Sequence, residues 1–452
     1  MGVSMKAKYL VGLLLAGCAG SGSYDVTSGG RIHNLHQELT IVDPSVGSSG
    51  VSGQAVVSIG SVYLESQVAP VTVAGTGMQA SDISVNAANT YVSYSSFDTG
   101  GTVVKAGAVE HLKPYICDNP LTLLRTEYCM TSAKILSLPA ADIFAAESDG
   151  TNLFAVGSTL DETDAPNFGR IYKIGLDTNK SPVAVSSQAS LPSYAGTDVA
   201  VLGSQVLVTS GTSPDTTRMG GLSVLNKADF TPVAFQQLYD ARGIGYYGST
   251  PSRVFVTRGK FDSGNLGALV EYNADGSGSP VRTIASGGNT IAESKSSVQV
   301  GNTLLLASLG DQGFKVLCKA TGAVLHSQPA VTVSGIPSTR TVTNSVVAIP
   351  GFIFAANGEG GVYVYQFQKS SILNSNYCQG VAVTLVGRLT LGASTSYINS
   401  ELSANSIHYV PVYNLLNVLT AKLLVVASGN KGTSLINVSG LTLSLGLDVD
   451  DF

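Results

Sequence analysis

The residues able to do chemistry are few and scattered. Among 452 residues there are five cysteines and five histidines. Cys117 and Cys129 lie close together in one segment, Cys318 and Cys378 lie in consecutive segments, and Cys18 follows a short apolar run near the start. No Cys-x-x-Cys spacing occurs, so the sequence lends no support to a zinc or haem site. His33 and His36 have the spacing of a weak metal pair, but their Gly/Ser-rich surroundings read as solvated; His111, His326 and His408 stand singly. A nucleophile elbow, a phosphate loop, a dinucleotide fingerprint and a His-Glu-x-x-His helix are all missing, so no catalytic residue, metal site or cofactor is assigned. Asp161-Glu-Thr-Asp164 is acidic enough to attract Ca²⁺ loosely. It lacks the alternating Asp and the turn Gly of a calcium loop and reads better as a solvated loop. Asp448-Val-Asp-Asp-Phe452 reads as a solvated acidic tail.

The scaffold that must position these residues is β-rich. The chain has 51 Gly, 16 Pro, no Trp and only 12% charged residues. Val, Thr, Ser and Tyr are frequent, which suits strands and turns, and helical periodicity is almost absent. A net charge of −5 gives a nucleic-acid partner no electrostatic support. Low charge with positive mean hydropathy fits a packed core rather than disorder.

Apolar runs recur at intervals of about 50 residues, the range of propeller blades. They begin at Thr90, Leu153, Val206, Val254, Leu304, Ile353 and Leu423. Short apolar strands precede them, as at Asp82-Ile-Ser-Val85, Asp198-Val-Ala-Val201, Ser297-Val-Gln-Val300 and Ser345-Val-Val-Ala348. A Gly-rich turn and an alternating strand follow, most plainly in Gly358-Glu-Gly-Gly-Val-Tyr-Val-Tyr365. A tight turn then leads to a fourth strand, which opens Pro-Val at Pro182, Pro232 and Pro280; Pro suits an outer edge strand. The reading is all-β, a seven-bladed β-propeller of four-stranded antiparallel blades, with eight blades or an array of sandwiches as alternatives. Ala69-Pro-Val-Thr-Val73 fits the outer strand that clasps the last blade, with Ser61-Val-Tyr-Leu64 and Leu441-Thr-Leu-Ser-Leu445 as competitors. Inner strands begin near Asp82, Asp142, Asp198, Arg242, Ser297 and Asn344. These side chains either cap turns or surround the axial channel as a cation site.

At the N-terminus, Lys6 and Lys8 precede the apolar Tyr9-Leu-Val-Gly-Leu-Leu-Leu15, and Leu15-Ala-Gly-Cys18 closes the run. The run is too short to span a bilayer. The segment resembles the lipobox of bacterial lipoproteins. That resemblance implies cleavage before Cys18, acylation of its thiol and, with Ala19 next, an outer-membrane address. It divides the chain into a signal peptide at 1–17, a lipidated Cys with a flexible tether at 18–50, and a propeller domain at 51–452. A short strand at Leu39-Thr-Ile-Val42 is the one interruption expected in the tether. Two or three acyl chains make a stable anchor.

The blade motif resembles the degenerate LVIVD-type repeats of bacterial surface propellers. Export places Cys117 and Cys129 in an oxidising space, where a local disulfide closing the 111–131 insertion is expected; for Cys318 and Cys378 a bridge or two buried thiols are both open. The apolar segment from Ile407 to Leu419 is a long inner strand with its turn, or an exposed patch for a partner. The function expected is an outer-membrane-anchored scaffold that binds other envelope proteins. The alternatives are a lactonase- or hydrolase-like enzyme with a metal in the axial channel, and an adhesin or glycan binder hinted at by Tyr246-Tyr247.

Overall fold

A computed structural model describes residues 31–39, 41–42, 60–73, 76–87, 89–96, 106–117, 126–139, 141–159, 169–213, 218–259, 267–285, 297–333, 336–369, 378–389, 403–413, 418–441, 447–448 and 452. Seven antiparallel sheets of four core strands each form a ring, a seven-bladed β-propeller. Blades 1 to 6 occupy 76–139, 141–190, 195–237, 241–285, 298–328 and 345–389. Within each the strands run in sequence order from the axis outward. Blade 7 is composite. Ser406–Tyr413, Leu419–Ala427 and Thr433–Asn437 supply its inner strands, and Val62–Val68 supplies the fourth.

The continuous apolar runs become the second strand of every blade, and the packing explains their composition. In blade 3, Leu207 enters the layer shared with blade 4, while Val206 and Val208 enter the layer shared with blade 2. In blade 6, Ile353 and Ala355 face blade 5, while Phe352, Phe354 and Ala356 face blade 7. Both faces are buried, so alternation of apolar and polar residues disappears, as in any strand covered on two sides. The hydrophobic core is accordingly seven separate layers, one per junction between neighbouring blades.

Two sequence expectations change and one open choice is decided. The clasp is not 69–73: Thr72–Val73 pairs with the first strand of blade 1, and Val62–Val68, overlapping the competitor at 61–64, closes the ring against Thr433–Asn437. The 18–50 tether is also too long. Ile32–Leu39 adds a fifth strand outside Val62–Val68, and Ile41–Val42 adds one outside blade 6, so this stretch joins the sheets well before residue 51. The strand expected at 39–42 is thus part of a longer pairing segment. Finally, 407–413 is an inner strand, the first of the two readings. The polar residues Glu65, Ser66 and Gln67 break the apolar pattern of the clasp strand.

The closing contact is tight. Gly432 has φ +78°, and a Cβ there would lie 2.0 Å from the Val68 carbonyl oxygen. Only glycine permits that approach of clasp and blade.

Candidate functional site

The inner-strand polar residues were the sequence's candidates for an axial site, and most of them bridge to the next blade. The Asp198 carboxylate accepts the Ile244 N–H of blade 4 at 3.0 Å. The Asp82 carboxylate accepts the Ser406 hydroxyl of blade 7 at 2.8 Å, and Asp142 accepts both the N–H and the hydroxyl of Ser96 in blade 1. Ser297 accepts the Val346 N–H, and the Asn344 amide donates to the Ala404 carbonyl. Arg242 pairs with Asp240 at 2.8 Å. Apart from Arg242, these side chains join successive blades at the inner strands.

Glu147 is the residue that sequence reasoning missed. It lies on Ala141–Ser148, the inner strand of blade 2. It accepts the Tyr246 hydroxyl of blade 4 at 2.6 Å and the Val201 N–H of blade 3 at 3.2 Å. Burial pushes its carboxyl up to about 8; the neighbouring Asp198 and Asp82 add to this, and the two hydrogen bonds oppose it. Asp198 and Asp82 are thus near enough to raise the Glu147 carboxyl, but among the described residues the three oxygens do not gather within 4.8 Å of one another. A cavity of about 360 Å³ lies between the inner strands of blades 5, 6 and 7, lined by Ser297, Gln299, His408, Tyr409 and Tyr413 and approached by Phe452.

A second cluster sits at the outer edge of blade 1. Its third and fourth strands, Ala106–Ile116 and Tyr128–Pro139, form a long hairpin. Cys117 and Cys129 are joined at its end by a disulfide with Cα atoms 5.7 Å apart. His36 packs on this bridge, its Nε2 3.8 Å from each sulfur and 3.6 Å from a Glu127 carboxylate oxygen. Its Nδ1 is 2.8 Å from the wholly buried Glu65, whose other oxygen accepts the Asn437 amide at 3.0 Å. A bulge puts His36 there. Register slips between Asn34 and Gln37, and His36 takes φ +47°, uncommon for a residue with a side chain. His33 is exposed and takes no part, so the expected His pair separates.

The remaining candidates are placed as follows. Cys318 and Cys378 are disulfide-bonded, which decides between the two readings left open. His111 is buried, stacked on Tyr91 at 5.1 Å and held between Ser181 and Asn89. Tyr246 turns inward to Glu147, whereas Tyr247 is exposed beneath the Lys319 ammonium, so the two do not form a paired glycan platform. Cys18, Asp161–Asp164 as 161–164 and the tail at 449–451 lie outside the described residues.

No protein-family model matches the chain, and no curated protein matches it. Among solved structures it is similar to the WD40 β-propeller domain of Doa1, at 12% identity and TM-score 0.45 over 82% of this chain and 96% of that one. It is also similar to Sqt1 of Saccharomyces cerevisiae, at 10% identity and TM-score 0.46 over 81% and 97%.

Proposed function

We propose that this chain is an interaction scaffold held at the outer membrane through an acylated Cys18. The observation that carries the interaction reading is the ring's perimeter. Val183 and Val185 on the outer strand of blade 2, and Val233 and Phe235 on that of blade 3, are 37–53% exposed. Both strands end their sheets among the described residues, whereas the equivalent edges of blades 6 and 7 carry the chain's own segments Ile41–Val42 and Ile32–Leu39. An open edge with apolar side chains suits an extended segment of a partner protein adding as a further strand.

The anchor reading rests on the lipobox-like segment ending at Cys18. Arg31 is fixed to the ring by paired hydrogen bonds to Glu110, both 3.0 Å, and by one to the Ala69 carbonyl. The twelve intervening residues reach about 40 Å at most when extended, so an acylated Cys18 would hold the ring close to the bilayer.

Two measurements test the proposal. Labelling cells with an alkyne fatty acid should mark the protein, and Cys18→Ser should abolish both the label and membrane fractionation; an unlabelled wild type removes the anchor. A photo-crosslinking residue at position 235 should capture an envelope protein in intact cells, and Val233→Asp should abolish capture. No adduct, beside a purified domain that turns over a substrate, removes the scaffold. The second reading, a cation or small ligand in the axial channel, draws on the neighbouring acidic groups of Glu147, Asp198 and Asp82. Elemental analysis of the purified oxidised protein showing no Ca²⁺ or Zn²⁺ counts against its metal form.

A further inference from the structure

The cluster at the edge of blade 1 has the donor set, spacing and supporting bonds of a metal site that the disulfide holds closed. Three groups converge: the sulfurs of Cys117 and Cys129 and Nε2 of His36, all within 4.8 Å of one another. Each sulfur lies 3.8 Å from His36 Nε2. In a tetrahedral zinc site, with bonds of about 2.3 Å to sulfur and about 2.0–2.2 Å to nitrogen or oxygen, neighbouring ligand atoms sit about 3.4–3.8 Å apart. The imidazole therefore already stands near the distance from each sulfur that such a site requires. Only the two sulfurs must part.

The groups behind these ligands fit the same chemistry. Metal-bound imidazoles commonly give their other N–H to a carboxylate, which fixes the ring and leaves the lone pair facing the metal. Here His36 Nδ1 meets Glu65 at 2.8 Å, and Asn437 holds Glu65 from behind. Donation from Nδ1 leaves Nε2 as the lone-pair nitrogen, the atom facing both sulfurs. The left-handed backbone of His36 is the kind of local strain found at working sites. Access is present, since His36 and Cys117 are partly exposed while Cys129 and Glu65 are buried.

We propose that Cys117, Cys129 and His36 form a redox-gated site for a divalent transition metal, Zn²⁺ first among them, with solvent as the fourth ligand and Glu65 as the positioning residue for His36. The oxidised protein is the closed state. A dithiol reductant delivers two electrons and two protons to the disulfide and leaves as its own cyclic disulfide. The two thiols then lose their protons to solvent as the thiolates bind Zn²⁺. Oxidation by a protein disulfide reverses the sequence and expels the ion. The site lies beside the clasp strand carrying Glu65, so the exchange takes place at the seam where the ring closes.

Cobalt spectroscopy on the full chain tests this. Protein reduced with a phosphine, with the reductant then removed under anaerobic conditions, is titrated with Co²⁺. One equivalent should produce thiolate-to-cobalt charge-transfer absorption and tetrahedral d–d bands, and Zn²⁺ should bleach both. Oxidised protein should produce neither. Cys318→Ser/Cys378→Ser should retain the bands, and Cys117→Ser/Cys129→Ser should lose them. His36→Asn, chosen because Asn tolerates the left-handed backbone, should weaken zinc affinity about 10- to 100-fold, and Glu65→Gln should do the same while preserving the bands. The proposal is overturned if the reduced wild type gives no charge-transfer band, or if the band survives without Cys117 and Cys129. It is equally overturned if His36→Asn binds zinc as tightly as the wild type, or if circular dichroism shows that the reduced chain with metal has lost its sheet.

Discussion

Replacing Glu147 by Gln keeps the size of the side chain and its acceptor oxygen while removing the charge. The consequence depends on pH. The carboxyl ionises near 4.5 in an unfolded chain, but burial, with repulsion from Asp198 and Asp82, pushes it up to about 8 in the folded ring. Between those values the folded state holds a proton that the unfolded state has released. Wild-type stability therefore falls as pH rises from about 4.5 through about 8, and levels off above. Each pH unit is worth at most about 1.4 kcal/mol, so the whole window has a ceiling of about 5 kcal/mol. Glu147 retains some contact with solvent, which screens the charge, and about 2–3 kcal/mol is the working expectation. Urea unfolding of wild type and Glu147→Gln at pH 5, 6, 7 and 8 reads this directly. The two should agree within about 1 kcal/mol at pH 5 and separate progressively, with the variant the more stable at pH 8. Tyr246→Phe removes a hydrogen bond that favours the ionised carboxylate, so it should shift the wild-type transition to higher pH. Parallel curves for wild type and Glu147→Gln would refute the reasoning, because they would mean that Glu147 ionises alike in both states.

Other perturbations test other parts of the ring. His111 is held neutral down to about 4, chiefly by burial and next by Lys113, so its contribution is lost as pH falls from about 6.5 towards 4; His111→Gln should reduce this acid sensitivity relative to wild type in thermal melts. Arg31→Ala leaves the wholly buried Glu110 without its cation and should cost about 3–5 kcal/mol in urea unfolding, most of it regained in Arg31→Met/Glu110→Gln. Gly432→Ala forces a Cβ against the Val68 carbonyl and should cost about 2 kcal/mol or more, with faster hydrogen exchange in Val62–Val68 as the local reading. Cys318→Ser/Cys378→Ser opens a 60-residue loop and should cost about 4 kcal/mol by chain entropy, read in urea without reductant.

The blade count was legible because the second strands have an unusual environment. Each feeds two apolar layers, so seven nearly unbroken runs such as Leu304-Leu-Leu-Ala-Ser308 stand out from the alternating strands around them. Strands with one side chain in each environment leave a weaker trace. Ile32–Leu39 pairs along the edge of the clasp with most of its residues exposed, and nothing in its composition separates it from a tether. Local chemistry followed the same division. Cys117 and Cys129 were legible as a pair because one hairpin brings them together. Glu147 was not, because its environment is made by strands from three blades.

This division also explains how the ring closes. Neighbouring blades are joined by local sequence everywhere except at blade 7, whose fourth strand comes from the opposite end of the chain. That junction must order two distant segments, so it bears the largest loop-closure cost in the fold. Several charged and covalent bonds lie beside it: Arg31 with Glu110, His36 with Glu65, Asn437 with Glu65, and the Cys117–Cys129 bridge against His36. Apolar burial alone gives a strand no preferred register partner beyond its two faces, whereas a buried carboxylate with a single cation or amide in reach fixes one register and penalises the rest. The polar residues that disguised Val62–Val68 as something other than a blade strand are thus what seat it in the one position that completes the circle.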